Sequence, residues 1–393
     1  MAFRCRTWFA ALALSTAQML ACASDIGDAK GSIFAITDDE FGEGDETVHL
    51  KVLRNTRLGE YVEVAWDAGG RTEGLALRGP VTRKLQQVLL DHGRNASAAR
   101  GNVGWKGDVL LPYANRVENG TYHLNGKVHH LERNEDRGSY GKEGIHGYLY
   151  KKTLQVLSST ENDHSATLLL GYDFDGTDPG YPFPLSVLLS YRLDDQGFTL
   201  TTTARHRGEA FLDRPLPLTA SWHSYLKVED ISQAVLELDR CSQWNHISVP
   251  NDSNVNSSLI PTGHTSLFAG FSGRSQIGGS RDDPVYWDDE FKALASAQSC
   301  PELKVSVRES LSSKEAKVLW MDSNFRWVQV FTGTVRNFGE QGIAVEAMSG
   351  QADAFNNMEG LRLLQPGEVW QGSFGVRLEP YVARDNELIL TTI

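Results

Sequence analysis

Residues 186–206, SVLLSYRLDDQGFTLTTTARH, hold two strand-like runs, Ser186–Leu193 and Phe198–His206, on either side of Asp194-Asp195-Gln196-Gly197. A turn-forming tetrapeptide between two such runs is the pattern of a hairpin. The pattern recurs outward from here in both directions. Lys152–Ser158 and Ala166–Tyr172 flank a polar turn. Thr121–Leu124 and Lys127–Leu131 flank Asn125-Gly126, whose two residues suit the consecutive positive-φ positions of a tight hairpin turn. Tyr61–Trp66 alternates, with Val62, Val64 and Trp66 on one face and Tyr61, Glu63 and Ala65 on the other, and Gly69-Gly70 ends it. His49–Arg54 is a short apolar-rich run. Trp327–Thr332 and Gly342–Met348 form a late pair, and Val369–Leu378 closes the series. The best helical candidate, Val81–His92, is ambiguous. Strand after strand with frequent turns predicts an all-β chain: a large antiparallel β-sandwich with few short helices, not a set of βα units. No short-period repeat and no low-complexity linker divides the 393 residues, so a single domain is expected over residues 24–393.

The first 23 residues read as a signal peptide. Arg4 and Arg6 supply the positive start, Trp8–Leu20 the apolar stretch, and Ala21-Cys22-Ala23 the small-residue cleavage site. The apolar run is shorter than a membrane span needs. Leu20-Ala21-Cys22 also fits a lipid-anchored reading at Cys22. Secretion is the expectation, with no other stretch able to span a membrane. Cys5 and Cys22 fall in this leader, leaving Cys241 and Cys300, and two cysteines in an exported chain suggest one disulfide, with two free thiols as the alternative. Asn95, Asn119, Asn251 and Asn256 open triplets of the glycosylation-acceptor form. Lys and Arg number 38 against 50 Asp and Glu, a net charge of -12. An acidic chain without a basic stripe argues against nucleic acid or an anionic membrane surface as partner.

The segment Gly342–Asn356, GIAVEAMSGQADAFN, places one carboxylate, Glu346, in an apolar run. Such a glutamate either faces water from an edge strand or lies in a polar pocket, where it can be tuned as a general base. Three other stretches set polar side chains in strand-like surroundings: Leu110–Arg116 (LLPYANR), Gly144–Gly147 (GIHG) and Ala220–Tyr225 (ASWHSY). Cys241–Lys292 is the longest irregular stretch, and its acidic clusters, Asp282-Asp283 and Asp288-Asp289-Glu290, read as a solvated surface or, less well, as a calcium loop. No zinc spacing, phosphate-cradling glycine loop or Gly-x-Ser-x-Gly nucleophile turn is present.

Taken in order, Tyr113-Ala-Asn-Arg116 with its following hairpin, His146-Gly147, His223-x-Tyr225, Ile260-Pro-Thr-Gly263 and Ala344-Val-Glu346 with Ala354-Phe-Asn356 and Leu364-Gln-Pro-Gly-Glu368 resemble the aldose 1-epimerase (galactose mutarotase-like) family over about residues 60–380. The resemblance implies a β-sandwich with a concave site, no cofactor, and a sugar as partner. It also implies an isomerase that interconverts anomers of free hexoses such as glucose or galactose. Residue by residue, it implies Glu346 as base and His223 as acid, with Asn115, Arg116, His146, Asp288 and Gln329 holding the sugar; Asp289 competes with Asp288 for its place. Trp222 or Tyr148 could stack on the sugar or belong to the core. The chain departs from the pattern at Ala347, where a proline is usual, in Glu132–Glu143, and in Cys241–Asp288. A non-catalytic carbohydrate-binding protein and a hexose-phosphate epimerase are the alternatives. The sequence leaves the oligomeric state open.

Overall fold

The computed structural model describes residues 32–208, 214–250, 258–270, 277, 286–333 and 340–381. The expected leader, Asn251, Asn256 and the pair Asp282-Asp283 lie outside them. The hairpin quoted above is the middle of an eight-stranded sheet. Pro184–Asp194 pairs with Gly197–His206 from Leu185↔His206 to Asp194↔Gly197. Every second residue is buried: Leu185, Val187, Leu189, Tyr191 and Leu193 on one strand, Phe198, Leu200, Thr202, Ala204 and His206 on the other. That alternation fixes the register, because a slip of one residue would turn the whole buried set to solvent. The sheet order is Gln155–Glu161, Ser165–Asp175, Pro184–Asp194, Gly197–His206, Val369–Pro380, Glu315–Asp322, Glu302–Arg308, Val235–Leu238, antiparallel throughout.

A second, seven-stranded sheet runs Thr265–Leu267, Trp244–Ile247, Asp288–Ala293, Trp327–Phe331, Gly342–Met348, Ser221–Lys227, Val109–Leu110, again antiparallel. Its back face packs on the first sheet. Trp222 stacks on Phe374 at 5.4 Å between ring centroids and lies 5.7 Å from Phe198. Phe291, Val328, Val345 and Ala347 join the same core. Each large side chain sealed in this way contributes about 1.5–3 kcal/mol. A five-stranded meander, Phe34–Phe41, Val48–Asn55, Glu60–Ala65, Arg71–Arg78 and Leu85–Gln87, completes the main sheets. Asn125 and Gly126 take φ of 55° and 74°, as the tight turn between Thr121–Leu124 and Lys127–His130 requires.

Two sequence expectations need correction. Val81–His92 is not helical: Leu85–Gln87 pairs with Arg71–Arg78 and Leu89 bridges Leu226. Tertiary pairing overrides a weak local propensity here. The longer of the two α-helices among the described residues is Ala96–Gly101, where the Asn95 side chain accepts from the Ala98 amide at 3.0 Å. Cys241–Lys292 is not a loop: it carries the strands Trp244–Ile247, Thr265–Leu267 and Asp288–Ala293. Cys241 and Cys300 are bonded, their Cα atoms 6.0 Å apart, and so close the segment that holds these strands. No helix among the described residues is long and apolar enough to cross a membrane.

Candidate active site

Strand register assembles one wall of the site. Glu290 lies opposite Gln329, Gln329 opposite Glu346, and Glu346 opposite His223. Residues facing one another across antiparallel strands share a sheet face. This row therefore projects from the side away from the core. Two residues along, Asp288, Phe331, Ala344 and Tyr225 form a second row on the same face. The residues between point back into the sandwich. Glu346 thus sits in an apolar strand at the middle of a sheet, 2 % exposed. The edge-strand reading of Glu346 does not hold.

The facing wall comes from the Leu110–Gly147 region. Ile145 pairs with Arg116, and the His146 amide donates to the Asn115 carbonyl at 3.0 Å. Asn115 and His146 both hold left-handed backbone, φ 53° and 65°. Gly147 continues that turn, and a Cβ on it would lie 2.2 Å from the Leu111 carbonyl oxygen. Backbone geometry thus requires the glycine that follows His146.

Together the walls enclose a cavity of about 130 Å³. Glu346, His223, Asn115, Arg116, His146, Asp288 and Gln329, the seven residues named from sequence, all line it. Asn115 Nδ2 donates to Gln329 Oε1 at 3.1 Å, and Gln329 Nε2 donates to Asp288 Oδ1 at 2.7 Å. Asp288 Oδ2 is 3.6 Å from Arg116 Nη2. Arg116 grips Glu135 with Nε and Nη2 at 2.7 and 2.8 Å, the two-pronged geometry that fixes a guanidinium. His223 Nε2 lies 3.4 Å from Glu346 Oε1. Glu346 Oε2, His223 Nδ1, His146 Nδ1 and the Tyr225 hydroxyl are buried without a hydrogen-bond partner. Four such groups in one hollow suit a ligand rich in hydroxyls, since buried polar atoms otherwise find partners.

Burial, with the Asp288 charge adding to it and Arg116 opposing, holds the Glu346 carboxyl well above the ordinary range. Burial and the nearby Arg116 push His223 down to about 3. His146 is lowered by burial, His223 and Arg116. Burial raises Asp288 to about 6 against the pull of Arg116. The two shifts point the same way, favouring a proton on the Glu346 carboxyl over one on the His223 imidazole. His146, His223 and Glu346 each offer a metal-ligand atom, all within 4.8 Å of one another, a looser set than the roughly 2.0–2.2 Å bonds of a closed zinc shell allow without movement.

The ambiguity between Asp288 and Asp289 resolves by alternation: Asp288 turns to the cavity residues, and Asp289 binds His246 Nε2 at 2.7 Å. The acidic cluster is not a solvated surface, for Asp288, Asp289 and Glu290 are all buried on a strand. Trp222 and Tyr148 are not stacking groups. Trp222 lies one residue from His223 and so faces the core, and Tyr148 packs on Tyr113 at 5.9 Å. Ala347 faces Trp222 and Val328, which puts that departure outside the cavity. Sequence reasoning missed Trp105 and Glu135, and it named Tyr225 and Glu290 without giving either a place in the site. Trp105 had a signal, an aromatic isolated among Gly101, Gly104 and Gly107. Its ring lies 4.7 Å from that of His146, edge-on, and 6.4 Å from that of His223.

The family model for aldose 1-epimerase matches residues 77–377. The chain is 26% identical over 179 residues to the Bifunctional protein GAL10 of Kluyveromyces lactis, a match covering 46% of this chain and 24% of that one. It therefore spans about a quarter of that relative's length. A galactose mutarotase-like protein from Clostridium acetobutylicum superposes with a TM-score of 0.68 at 18% identity, covering 88% of this chain and 99% of the other. Galactose 1-epimerase from Lactobacillus acidophilus gives 0.65 at 16% identity, covering 89% and 100%. These two solved structures share the fold.

Proposed function

The chain belongs to the aldose 1-epimerase family, and we propose that it interconverts the α and β anomers of free hexoses such as glucose or galactose. The observation that carries this reading is the His223–Glu346 pair, 3.4 Å apart at one register position and buried in the cavity wall. A hydroxyl-rich sugar entering the cavity solvates both partners as ions and moves their shared proton from Glu346 to His223, with no change in total charge. Glu346 then takes the proton of the anomeric hydroxyl while His223 Nε2 protonates the ring oxygen. The electrons of the O–H bond form the aldehyde C=O, and those of the C1–ring-oxygen bond stay on that oxygen. Rotation about C1–C2 presents the other aldehyde face. Reclosure runs the same two transfers backwards and leaves the opposite anomer. Arg116, His146 and Asp288 grip hydroxyls, which fixes the ring against the pair; Gln329 and Asn115 hold Asp288 in place.

The amino-terminal leader supports an exported protein that meets sugars outside the cytoplasm. Polarimetry on freshly dissolved α-D-glucose and α-D-galactose, wild type beside Glu346→Gln, tests the reaction. Faster approach to anomeric equilibrium with wild type alone is expected. Equal rates with both proteins would remove Glu346 from the mechanism, and no acceleration on any free aldose would leave the cavity as a sugar-binding site.

A further inference from the structure

His223 is held on both edges of its strand. On one side lies Glu346. On the other, the His223 amide donates to the Asp108 carbonyl at 2.9 Å, and the Gly107 amide donates to the His223 carbonyl at 2.9 Å. The turn at residues 102–108 therefore fixes the main chain from which the imidazole hangs. The same turn carries Trp105, whose ring lies edge-on to His146 at 4.7 Å. Main-chain bonds close it, Trp105 N to Asn102 O at 3.0 Å and Asp108 N to Trp105 O at 3.1 Å. Asn102 and Trp105 take φ of 34° and 53°. Left-handed backbone at two residues with side chains persists only where the surroundings hold it.

A line of side chains supplies that hold. Arg71 Nε donates to Glu73 Oε2 at 2.9 Å, and Glu73 Oε1 meets His92 Nδ1 at 2.8 Å. His92 Nε2 meets Asn102 Oδ1 at 3.1 Å, and Asn102 Nδ2 donates to Asp108 Oδ2 at 2.8 Å. Arg71, Glu73, His92 and Asp108 are buried, and Asn102 is half-buried. The line begins on the strand Arg71–Arg78 of the five-stranded sheet and ends on the residue whose carbonyl takes the His223 amide. Asn102 joins its two halves, because an amide offers a donor at one end and an acceptor at the other. None of the five lines the catalytic cavity. An apolar filling of that volume is often as stable or more so. A directional chain of hydrogen bonds does what apolar packing does not: it rigidifies one arrangement of the turn.

We propose that Asn102 and Asp108 are positioning residues of the reaction: the chain from Arg71 to Asp108 fixes the turn that sets the His223 main chain and the Trp105 ring, and through them the placement of the acid against the sugar. This rests on the epimerase reading of the site and adds to it two residues that touch neither the sugar nor the transferred protons. The charged and titratable groups around Asp108 are Arg71, Glu73 and His92 along the chain and Tyr191 of the first sheet, whose hydroxyl donates to the Gly70 carbonyl. Lys106, on the turn itself, is paired with Glu340 at 2.6 Å.

Steady-state anomerisation of glucose and galactose by four variants tests this. Asn102→Gly removes the amide and keeps the left-handed backbone, which glycine adopts freely. It should stay folded by circular dichroism and lose about ten- to hundredfold in kcat, with KM within about twofold, since the groups that grip the sugar are untouched. Asp108→Asn keeps an acceptor for Asn102 and should hold kcat within about threefold, whereas Asp108→Ala should lose as much as Asn102→Gly. Asn102→Asp sets two carboxyls against each other, an arrangement that needs a proton between them. Burial already carries Asp108 up to about 7, so the kcat of Asn102→Asp should fall relative to wild type as pH rises through that value. Wild-type kcat in Asn102→Gly or Asp108→Ala, equal losses in Asp108→Asn and Asp108→Ala, or a loss confined to KM overturns the proposal. Should Asn102→Gly not fold, the Asp108 pair carries the test. The imidazole resonances of His223, assigned by their loss in His223→Asn, read its placement without turnover. If wild type accelerates no aldose, the epimerase reading fails by itself, and these resonances decide: His223 signals shifted in Asp108→Ala but not in Asp108→Asn sustain the positioning, and signals unmoved in both remove it.

Discussion

Glu346 and Arg116 are buried to similar depth and respond to substitution in opposite ways. Burial penalises the charge on the Glu346 carboxyl and so favours its protonated form. An amide of the same shape gives up no ion pair there. Glu346→Gln should therefore lower kcat by about 10²–10⁴-fold while the melting temperature stays level or rises, as polarimetry and a thermal melt on one preparation will show. His223→Asn should slow the reaction by a similar factor. Arg116 is different, for it is the cation that Glu135 and Asp288 share. Arg116→Ala leaves buried carboxylates without it, a loss of about 3–5 kcal/mol. Adding Glu135→Gln should return a good part of that stability in denaturant titrations without returning activity. Full activity in the stable double variant would show that Arg116 only props the wall.

The elements explain what could be read in advance and what could not. The hairpins were legible because alternation, turn residues and spacing are local: Ser186–His206 and Asn125-Gly126 form as their residues dictate. Glu346, His223, Arg116 and His146 were legible through motifs in a fixed order. Glu135 was not, since its bond to Arg116 depends on how Glu135–Asp136 pairs with Lys142–Ile145 and that strand in turn with Arg116-Val117, a register no short stretch states. The strands within Cys241–Lys292 were missed because they run only three to six residues and are held by neighbours distant in sequence. Trp222 was offered as a stacking group because a single residue's shift along a strand reverses its face, which pattern reading around His223 did not resolve. The same reasoning yields a prediction at the turn that carries His146. Gly147 at φ 65° has the Leu111 carbonyl where a side chain would begin. Gly147→Ala should cost about 1–3 kcal/mol in backbone strain and move His146. Chemical denaturation should show the loss, and kcat/KM should fall even at temperatures where the variant remains folded. A stable variant with normal kinetics would mean that the turn tolerates a Cβ and does not position the imidazole.

For the molecule as a whole, covalent closure and proton binding set the conditions for stability. The bond between Cys241 and Cys300 spans 59 residues, and loop-closure entropy assigns a ring of that size about 4 kcal/mol. Reductant or a Cys241→Ser/Cys300→Ser double variant should lower the denaturation midpoint, and a protein beginning at residue 24, unfolded without reductant, should show no free thiol. Protonation acts in two opposed directions. His223 is carried from an ordinary 6.5 down to about 3, so between those values the unfolded chain binds a proton that the folded one refuses, and stability falls as pH falls. Glu290 is carried from 4.5 up to about 8 by burial. Between those values the folded chain keeps a proton that the unfolded one releases, and stability falls as pH rises. Asp108, raised by burial to about 7, acts in the same direction as Glu290. Above pH 6.5 the His223 contribution is complete, and the buried carboxyls alone set the slope. Unfolding free energy should then decline from pH 6.5 to 8. Glu290→Gln should remove about 1.4 kcal/mol per pH unit from that decline, leaving a residue due to the other raised carboxyls, Asp108 and Glu346 among them. Urea titrations at pH 6.5, 7.25 and 8 on wild type, Glu290→Gln and Glu290→Gln/Glu346→Gln measure this directly. Parallel slopes in all three proteins would mean that neither carboxyl stays protonated in the fold, and the shared proton on which the acid–base pair depends would have to be sought elsewhere.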